Sequence, residues 1–223
     1  MENTYMDLEL TQRLVAEGEH RSFIGGMWNV IGTLQFEYLK SKGLKPAHKL
    51  LDVGCGSLRG GVHFVSYLNS HNYYGFDLNA SLIEAGINIE IANLGLTGKI
   101  NLENFSTATN FKYPSSWPAM DMALALSLLT HLSYDTICLC LKNTAKALNK
   151  GGRFYATIFE VAENQAENSV IQCADVTTHP HQDPYHYTRS RIEDAARLSG
   201  FELVSIEAFK HPRNQKMAIF EKR

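Results

Sequence analysis

The sequence predicts an α/β fold built on a doubly wound, mostly parallel sheet. Residues 47–160 alternate short apolar runs with longer stretches of helical period, which is typical of parallel strands joined by helices. The apolar runs are continuous rather than alternating in polarity, as they are when both faces of a strand are buried. Together these two observations predict a sheet with helices on both faces.

Five apolar runs are predicted to be the parallel strands of this sheet. They are Lys49–Val53, Tyr73–Asp77, Lys99–Asn104, Met120–Leu126 and Arg153–Phe159. Two later runs, Phe201–Ile206 and Lys216–Phe220, are too close in sequence to be joined by a helix. We therefore expect them to pair antiparallel near the carboxyl terminus.

Apolar residues at helical spacing predict two crossover helices. The residues expected on their buried faces are Ile83, Ile87, Ile91 and Leu94 after the second strand, and Ile137, Leu141, Ala145 and Leu148 after the fourth. The second of these helices is predicted to stop at Gly151–Gly152. A last helix is predicted to begin at a capping box, Ser190 to Glu193, and to end at Gly200.

The 223 residues are predicted to form a single domain with four regions. In chain order these are a helical cap (1–45), a core (46–160), a lid loop (161–187), and a final helix with a strand pair (188–223). The lid loop lacks clear period and is rich in Asn, Gln, His and Pro. So long a stretch without structure is uncommon in a compact domain unless it serves as a lid or binding loop.

Composition and charge argue against several classes of protein. The formal net charge is −2 and no run of five like charges occurs, so a nucleic-acid partner is not expected. No apolar stretch approaches the length needed to cross a bilayer, and the amino terminus does not have the pattern of a signal peptide. The four cysteines show no CxxC pair, so we expect free thiols and a cytoplasmic location.

The turn after the first predicted strand has the pattern of a nucleotide-binding site. Gly54 and Gly56 allow the chain to turn sharply and to bring backbone N–H groups close to a ligand. Asp77 ends the second strand, where a carboxylate can accept both hydroxyl protons of a ribose. These features fit NAD or S-adenosylmethionine. NAD is disfavoured because Arg59 stands where a dinucleotide fingerprint requires its third glycine.

Residues 48–160 resemble the class I S-adenosylmethionine-dependent methyltransferases. The segments that carry this resemblance are Asp52–Gly56, Asp77, residues 120–132 and residues 148–154. The runs GCGSLRGG, YYGFDLN, DPYHY and HPRNQKM further resemble a bacterial subgroup of natural-product and glycan type. The resemblance implies a seven-stranded Rossmann-like sheet whose carboxyl-terminal strand is antiparallel. Two departures are Ser57–Leu58 in place of the third glycine, and Asn104 in place of the acidic residue after the third strand.

The resemblance also implies which residues bind S-adenosylmethionine. In the core they are Asp52, Gly54, Cys55, Gly56, Arg59, Asp77, Leu78, Asn104, Phe105, Leu126 and Ser127. Asp52 would lie near the methionine moiety and Asp77 would hold the ribose. Asn104–Phe105 would flank the adenine from the loop after the third strand, and Leu126–Ser127 would pass beneath the sulfonium.

Three basic or aromatic residues have competing interpretations. Arg21 and Trp28 are expected to close over the cofactor, with the arginine meeting the methionine carboxylate. The alternative is a surface arginine and a packed tryptophan. Arg59 could meet the cofactor carboxylate, the substrate or solvent.

Candidate catalytic residues are His131, Asp183, Tyr185 and His186. His131 lies shortly after the fourth strand, where it could act as general base or serve only for packing. The other three fall within His179–Tyr187, for which three functions compete. This segment could hold a metal, supply a lid with acid–base groups, or be a solvated loop. We expect no metal, and we expect the lid to face the acceptor.

The sequence therefore predicts an S-adenosylmethionine-dependent methyltransferase for a small or medium-sized acceptor, with a sugar or natural-product hydroxyl expected. The alternatives are a methyltransferase for RNA or protein, a catalytically silent cofactor-binding subunit and, more remotely, a nicotinamide dehydrogenase. Methylation of a base amino group is disfavoured. Ala125–Leu128 stands where such enzymes carry an Asn/Asp-Pro-Pro-aromatic run.

Overall fold

The structure is a computed structural model that describes Tyr5 and residues 7–223. Contacts divide the chain into two compact units. The amino-terminal unit contains the described residues up to Thr109 together with Tyr113–Met120. The carboxyl-terminal unit contains Asn110–Lys112 and Asp121–Arg223. The single domain expected from the sequence stays a prediction.

The amino-terminal unit begins with three helices in the region that was predicted to form the helical cap. Its helices are α1 (Leu8–Ala16), α2 (His20–Phe23), α3 (Trp28–Ser41), α4 (Gly61–Tyr67) and α5 (Ala80–Ala85). Its strands are β1 (Leu50–Val53), β2 (Tyr73–Asp77) and β3 (Phe105–Thr107). A π-helical turn, Gly86–Ile91, continues α5.

The carboxyl-terminal unit carries the remaining strands and two helices. Its strands are β4 (Met120–Ala125, whose first residue belongs to the other unit), β5 (Leu148–Ile158), β6 (Glu160–Val161), β7 (Val170–Cys173), β8 (Val176–Thr178), β9 (Tyr187–Thr188), β10 (Phe201–Ala208) and β11 (Lys216–Lys222). Its helices are α6 (Tyr134–Ala147) and α7 (Arg189–Leu198).

Seven strands form one mixed sheet in the order β10-β11-β5-β4-β1-β2-β3. β1 pairs parallel with β2, and β2 pairs parallel with β3. The carboxyl-terminal strand β11 runs antiparallel to both β5 and β10. The predicted fold class, including its antiparallel carboxyl-terminal strand, is confirmed.

The third strand was predicted in the wrong place. The structure has 3-10 turns at Thr97–Lys99 and Leu102–Asn104, with Ile100 and Asn101 between them, and the strand follows as β3. The physical reason is local capping. The Asn101 side chain accepts a hydrogen bond from the Glu103 N–H at 3.1 Å, which starts a turn rather than an extended strand.

The helix after β2 also differs from its prediction. Ile83 and Ile91 are buried as expected, but Leu94 is 58% exposed. The π-helical turn is wider than an α-helical turn, so it shifts the phase of the residues that follow. Glu90 is buried on this segment instead, with 4% exposure.

Two helix boundaries need correction. Helix α6 ends at Ala147, and Gly151–Gly152 lie inside β5 rather than stopping the helix. Helix α7 begins with Thr188 as its N-cap, two residues before the predicted Ser190. The Thr188 hydroxyl accepts the Arg191 N–H at 3.3 Å, so it satisfies the free helix end that the capping box was expected to serve.

The lid loop contains more structure than expected. Strands β7 and β8 form an antiparallel hairpin within it, and β6 pairs parallel with β9 across its two ends. Side-chain and backbone hydrogen bonds therefore order a segment whose sequence has no apolar period.

Each unit has an aromatic centre. In the amino-terminal unit Phe64 is fully buried and stacks on Tyr73 with ring centroids 6.5 Å apart. In the carboxyl-terminal unit Phe154, Phe201 and Phe220 are fully buried and lie within about 6 Å of one another. All four cysteines are free thiols. Among the described residues, no helix has the length and apolar character needed to cross a membrane.

Candidate functional site

The glycine-rich turn after β1 is organised around the end of β2. Gly54 and Gly56 have φ angles of 77° and 53°, which favour glycine. The N–H groups of Gly54 and Cys55 donate to the Phe76 carbonyl at 2.7 and 3.1 Å. The Gly56 N–H donates to the Asp77 carboxylate at 2.8 Å. The turn and the carboxylate predicted to serve one ligand are thus in direct contact.

Both Asp77 carboxylate oxygens accept hydrogen bonds. The second oxygen takes the Asn79 N–H at 2.9 Å. Burial raises the pKa of Asp77, while the N–H bonds from Asn79 and Gly56 act to lower it. A carboxylate offers about four acceptor positions, so it can still accept the two hydroxyls of a ribose. The donor and acceptor chemistry of the turn therefore fits the nucleoside of S-adenosylmethionine. Leu78, which was also predicted to bind the cofactor, follows Asp77 directly in the chain.

Asp52 lies inside β1 with 4% exposure. Its carboxylate accepts the Tyr73 hydroxyl at 2.7 Å. Burial raises the pKa of Asp52 to about 7, and the hydrogen bond from Tyr73 opposes that rise. Burial likewise raises the pKa of the neighbouring Cys55 thiol well above its usual value. Both side chains are enclosed, so the place of Asp52 near the methionine moiety and the cofactor-binding role of Cys55 stay predictions.

Arg59 and Arg21 are engaged within the protein. Arg59 is 8% exposed and donates to the carbonyls of Ile24 and Gly26 at 3.1 and 2.9 Å, which excludes the solvent interpretation. Arg21 forms two hydrogen bonds with Glu90, at 2.7 and 2.6 Å. In this structure Glu90 supplies the carboxylate that Arg21 pairs with, and the expected pairing with a cofactor carboxylate stays a prediction.

Trp28 begins α3 and is half-buried. The Arg21 guanidinium lies 4.6 Å from the centre of the Trp28 ring system, a cation–π contact. His20 meets the same ring edge-on at 6.4 Å. Trp28 therefore packs against Arg21 and His20, and its expected closing over the cofactor stays a prediction.

Asn104 and Phe105 do not lie in a loop after the third strand, so that expectation is wrong. They precede and begin β3, at its amino end. The Asn104 amide is buried and donates to the carbonyls of His71 and Tyr73 at 2.8 and 3.3 Å. Phe105 pairs with Gly75 in the sheet. Both residues belong to the structural support of β2 rather than to the carboxyl edge where an adenine is expected.

Leu126 and Ser127 follow β4 as predicted. Ser127 has a φ of 54°, a strained conformation for a residue other than glycine. Its N–H donates to the Thr157 hydroxyl at 2.6 Å and its hydroxyl donates to the Gln215 amide oxygen at 3.0 Å. Thr157 and the buried Gln215 were missed from the sequence, although Gln215 belongs to the HPRNQKM run.

The carboxyl-terminal unit brings His131 and Asp183 together. The His131 Nδ1 lies 2.6 Å from an Asp183 carboxylate oxygen. The Tyr185 N–H donates to the Thr130 carbonyl at 2.8 Å, so the lid loop is attached beside the 3-10 turn that carries His131. The two side chains keep 27% and 19% exposure, which leaves the pair accessible. Two of the predicted catalytic residues therefore form one pair.

Tyr185 and His186 differ in placement. Tyr185 is half-buried and its ring stacks on Tyr187 with centroids 6.3 Å apart. His186 is 2% exposed, and its two ring nitrogens lie 2.8 Å from the Thr178 hydroxyl and 3.3 Å from the Ala166 carbonyl. Burial lowers the pKa of His186. The ring is enclosed and makes these contacts inside the lid loop, and its predicted catalytic role stays a prediction.

The His-x-His-x-Asp run does not converge on one point. Each member has its own partner: His179 contacts Ser169 at 2.8 Å, His181 contacts Glu167 at 3.0 Å, and Asp183 contacts His131. Among the residues that the structure describes, no group of three or more His, Cys, Asp or Glu side chains could hold a metal ion. The three side chains of this run therefore make separate contacts, and the functions proposed for the segment stay predictions.

Comparison with known proteins gives relatives of one kind. No family model matches the chain. The 18S rRNA (guanine(1575)-N(7))-methyltransferase of Saccharomyces cerevisiae is 27% identical over 142 residues, which are 60% of this chain and 48% of that protein. The chain thus spans about half the length of this curated relative.

Solved structures share the fold at low identity. A magnesium protoporphyrin IX methyltransferase from Synechocystis PCC 6803, crystallised with S-adenosylhomocysteine, has a TM-score of 0.62 at 12% identity and covers 88% of this chain and 86% of its own. An S-adenosylmethionine-dependent methyltransferase from Clostridium acetobutylicum has a TM-score of 0.62 at 10% identity, with 86% and 90% covered. The pyocyanin biosynthetic protein PhzM has a TM-score of 0.67 at 16% identity, with 96% and 62% covered.

These likenesses and the seven-stranded sheet define the class. The chain has the fold of the class I S-adenosylmethionine-dependent methyltransferases, so the predicted resemblance to that class is confirmed, while the narrower subgroup stays a prediction.

Proposed function

We propose that this protein transfers the methyl group of S-adenosylmethionine to a hydroxyl of a small molecule, such as a sugar or natural product. The observation that carries the cofactor assignment is the hydrogen bond from the Gly56 N–H to the Asp77 carboxylate. It joins the glycine-rich turn to the acidic strand end in the arrangement expected for a bound nucleoside. The solved structures with this fold include methyltransferases crystallised with S-adenosylmethionine or S-adenosylhomocysteine, which supports the same cofactor here.

The cofactor supplies an electrophilic methyl group on a sulfonium. The chain's own part is to hold the ribose hydroxyls at Asp77, whose carboxylate is positioned by the Gly56 N–H. Asp52 is buried, accepts the Tyr73 hydroxyl, and is assigned to the methionine end of the cofactor. Alignment of the reacting groups, rather than covalent chemistry by the protein, is the main requirement of such a displacement.

The acceptor class is inferred from His131 and Asp183. A hydroxyl must lose its proton as it is methylated, so a positioned base accelerates the reaction. Asp183 at 2.6 Å from Nδ1 orients the imidazole to take a proton from a hydroxyl acceptor. The pair is accessible, and the neighbouring His179 and His181 contact Ser169 and Glu167 instead.

RNA is the second candidate because the curated relative is named as a methyltransferase of a guanine N7 atom in 18S rRNA. N7 carries no proton, so its methylation does not need a base. The net charge of −2 also gives little attraction to a polyanion. The His131–Asp183 pair and the charge therefore favour a small hydroxyl acceptor, in a protein that we expect in the cytoplasm.

A methyl-transfer assay with labelled S-adenosylmethionine tests this proposal. Acceptor panels of hydroxylated sugars and phenolic natural products are compared with structured RNA, and the product is located by mass spectrometry. Label on an oxygen of a small molecule supports the proposal. Label in RNA alone would replace the acceptor class, and binding of S-adenosylhomocysteine without any transfer would favour a catalytically silent subunit.

A further inference from the structure

Residues 20–26 lie directly against the glycine-rich turn. The Ile24 side chain comes within 3.2 Å of the point that a Cβ on Gly56 would occupy. The Ser57 hydroxyl donates to the His20 carbonyl at 3.4 Å, and Arg59 donates to the carbonyls of Ile24 and Gly26. This segment, which we call the cover segment, therefore forms a wall beside the turn that is proposed to bind the cofactor.

A single buried carboxylate anchors the cover segment. Glu90 is 4% exposed, and its two oxygens accept from the Arg21 guanidinium at 2.7 and 2.6 Å while His20 Nε2 lies 2.7 Å from one of them. Burial alone would raise the pKa of Glu90, but the hydrogen bonds from Arg21 and His20 outweigh it and hold the pKa below its usual value. Removing one partner of a buried charge is strongly destabilising, because the remaining charge is then left uncompensated.

The helical backbone that carries Glu90 is distorted. The π-helical turn Gly86–Ile91 contains Glu90 and shifts the phase of the segment, so that Leu94 is exposed and Glu90 is buried. Single π-turns inside helices are frequent at functional sites. The distortion has a local explanation here, since it accompanies the burial of the carboxylate that meets His20 and Arg21.

The cover segment has little structure of its own to hold it. Helix α2 spans only His20–Phe23 and has no side-chain cap. Gly25, Gly26 and Met27 follow with φ angles of 91°, 61° and 47°. A short segment next to such a stretch opens at low cost unless contacts outside it fix its position.

We propose that Glu90 is a positioning residue for cofactor binding, which holds Ile24 of the cover segment as one wall of the S-adenosylmethionine site. This inference rests on the proposed function. When Glu90 loses its charge, the cover segment should open more often. A bound cofactor would then leave faster, while the Gly56–Asp77 contact on the far side of the turn is retained.

Two variants at the anchor test this role. Glu90→Gln keeps the shape but places an amide N–H₂ group against the donors of Arg21 and His20. Arg21→Met removes the paired charge from a side chain that is 52% exposed, so it keeps the test valid if Glu90→Gln does not fold. Arg21→Lys is the conservative variant. Glu37→Gln, which breaks the exposed pair with Lys40 on the same unit, is the matched control.

The measurement is the equilibrium and kinetics of S-adenosylhomocysteine binding, with amide hydrogen exchange of residues 20–26. We expect Glu90→Gln and Arg21→Met to weaken binding at least tenfold, mainly through faster dissociation, and to speed exchange in the cover segment. Arg21→Lys should recover part of the loss, and Glu37→Gln should match the wild type. Wild-type affinity and dissociation rate in the folded anchor variants would overturn this inference alone. No binding by the wild-type protein would overturn the proposed function and this inference with it.

Discussion

His131 Nδ1 and an Asp183 carboxylate oxygen lie 2.6 Å apart, although 52 residues separate them in the chain. The hydrogen bond from the Tyr185 N–H to the Thr130 carbonyl fixes the backbone on both sides of this contact. The pair is therefore held by the main chain as well as by its own attraction. This rigidity is what a base needs if it is to meet an acceptor in a fixed position.

Replacing His131 should impair turnover and spare cofactor binding. Because a positioned base contributes about 10²–10⁴-fold, His131→Ala should lower kcat for a hydroxyl acceptor by a factor in that range. Asp183→Asn should cause a smaller loss by disturbing ring orientation. Steady-state kinetics and calorimetry with S-adenosylhomocysteine are the measurements, with the exposed His181→Ala as control. Unchanged kcat in both variants would show that the pair is not the base.

Removing the charge of Asp77 should weaken the binding of the cofactor. Asp77→Asn leaves one acceptor oxygen and loses a charge-assisted bond of about 1.5–3 kcal/mol, so affinity for S-adenosylhomocysteine should fall about tenfold or more. Asp194→Asn, on an exposed helical pair, is the matched control. Circular dichroism checks that the Asp77→Asn variant is folded. Equal affinities of the folded variant and the wild type would mean that the ribose is held elsewhere.

Asp52 should make the protein less stable as pH rises. Its pKa is raised from 3.8 to about 7 on folding, so between these values the folded chain binds a proton that the unfolded chain has lost. The free energy of unfolding should therefore decrease by roughly 4 kcal/mol from about pH 4 to about pH 7 through this group. Asp52→Asn should remove that part of the decrease. The free energy of unfolding of the variant should therefore equal that of the wild type at pH 4 and exceed it at pH 8.

Urea unfolding without cofactor, at several pH values, measures this difference. Tyr73→Phe removes the hydrogen bond that lowers the pKa of Asp52, so in that variant the decrease should extend to higher pH. A constant difference between Asp52→Asn and wild type across the whole range would contradict the assigned cause.

His186 should stabilise the lid loop only while it is neutral. Burial lowers its pKa, so the stability it contributes is present above the pKa of the unfolded chain and is lost as pH falls through the folded pKa. The protection of residues 166–186 against amide exchange, relative to the intrinsic exchange rate at each pH, should therefore decrease on acidification below about pH 6.5. His186→Gln should lose most of this pH dependence, whereas the exposed His181→Gln should retain it. Identical pH profiles for wild type and His186→Gln would refute this role.

The sheet could be predicted from the sequence because its strands are buried on both faces and read as continuous apolar runs. Tyr73–Asp77 was predicted with its observed bounds. The position of the third strand was predicted wrongly because the Asn101 side chain caps a turn, which the hydrophobic pattern alone does not reveal. Leu94 failed for a different reason, since a π-helical turn changes the period on which the prediction depended.

The site was predictable where its residues are close in sequence to strand ends and not where distant segments meet. Gly56 and Asp77 follow from strand–turn–strand order. The contact of His131 with Asp183 depends on the path of the lid loop, and the burial of His186 depends on Thr178 and Ala166 within it. Glu90 was missed because a glutamate in an amphipathic helix is ordinarily solvated, and only the folded cap shows its partners.

The central claim is that the glycine-rich turn and Asp77 bind S-adenosylmethionine, and thermal unfolding with added ligands tests it most directly. A ligand that binds only the folded protein stabilises it by RT ln(1 + [L]/Kd), about 2.7 kcal/mol at a hundredfold excess over Kd. We expect S-adenosylhomocysteine to raise Tm in a concentration-dependent way and NAD to leave it unchanged. Equal shifts with both ligands, or no shift with millimolar S-adenosylhomocysteine, would contradict the account.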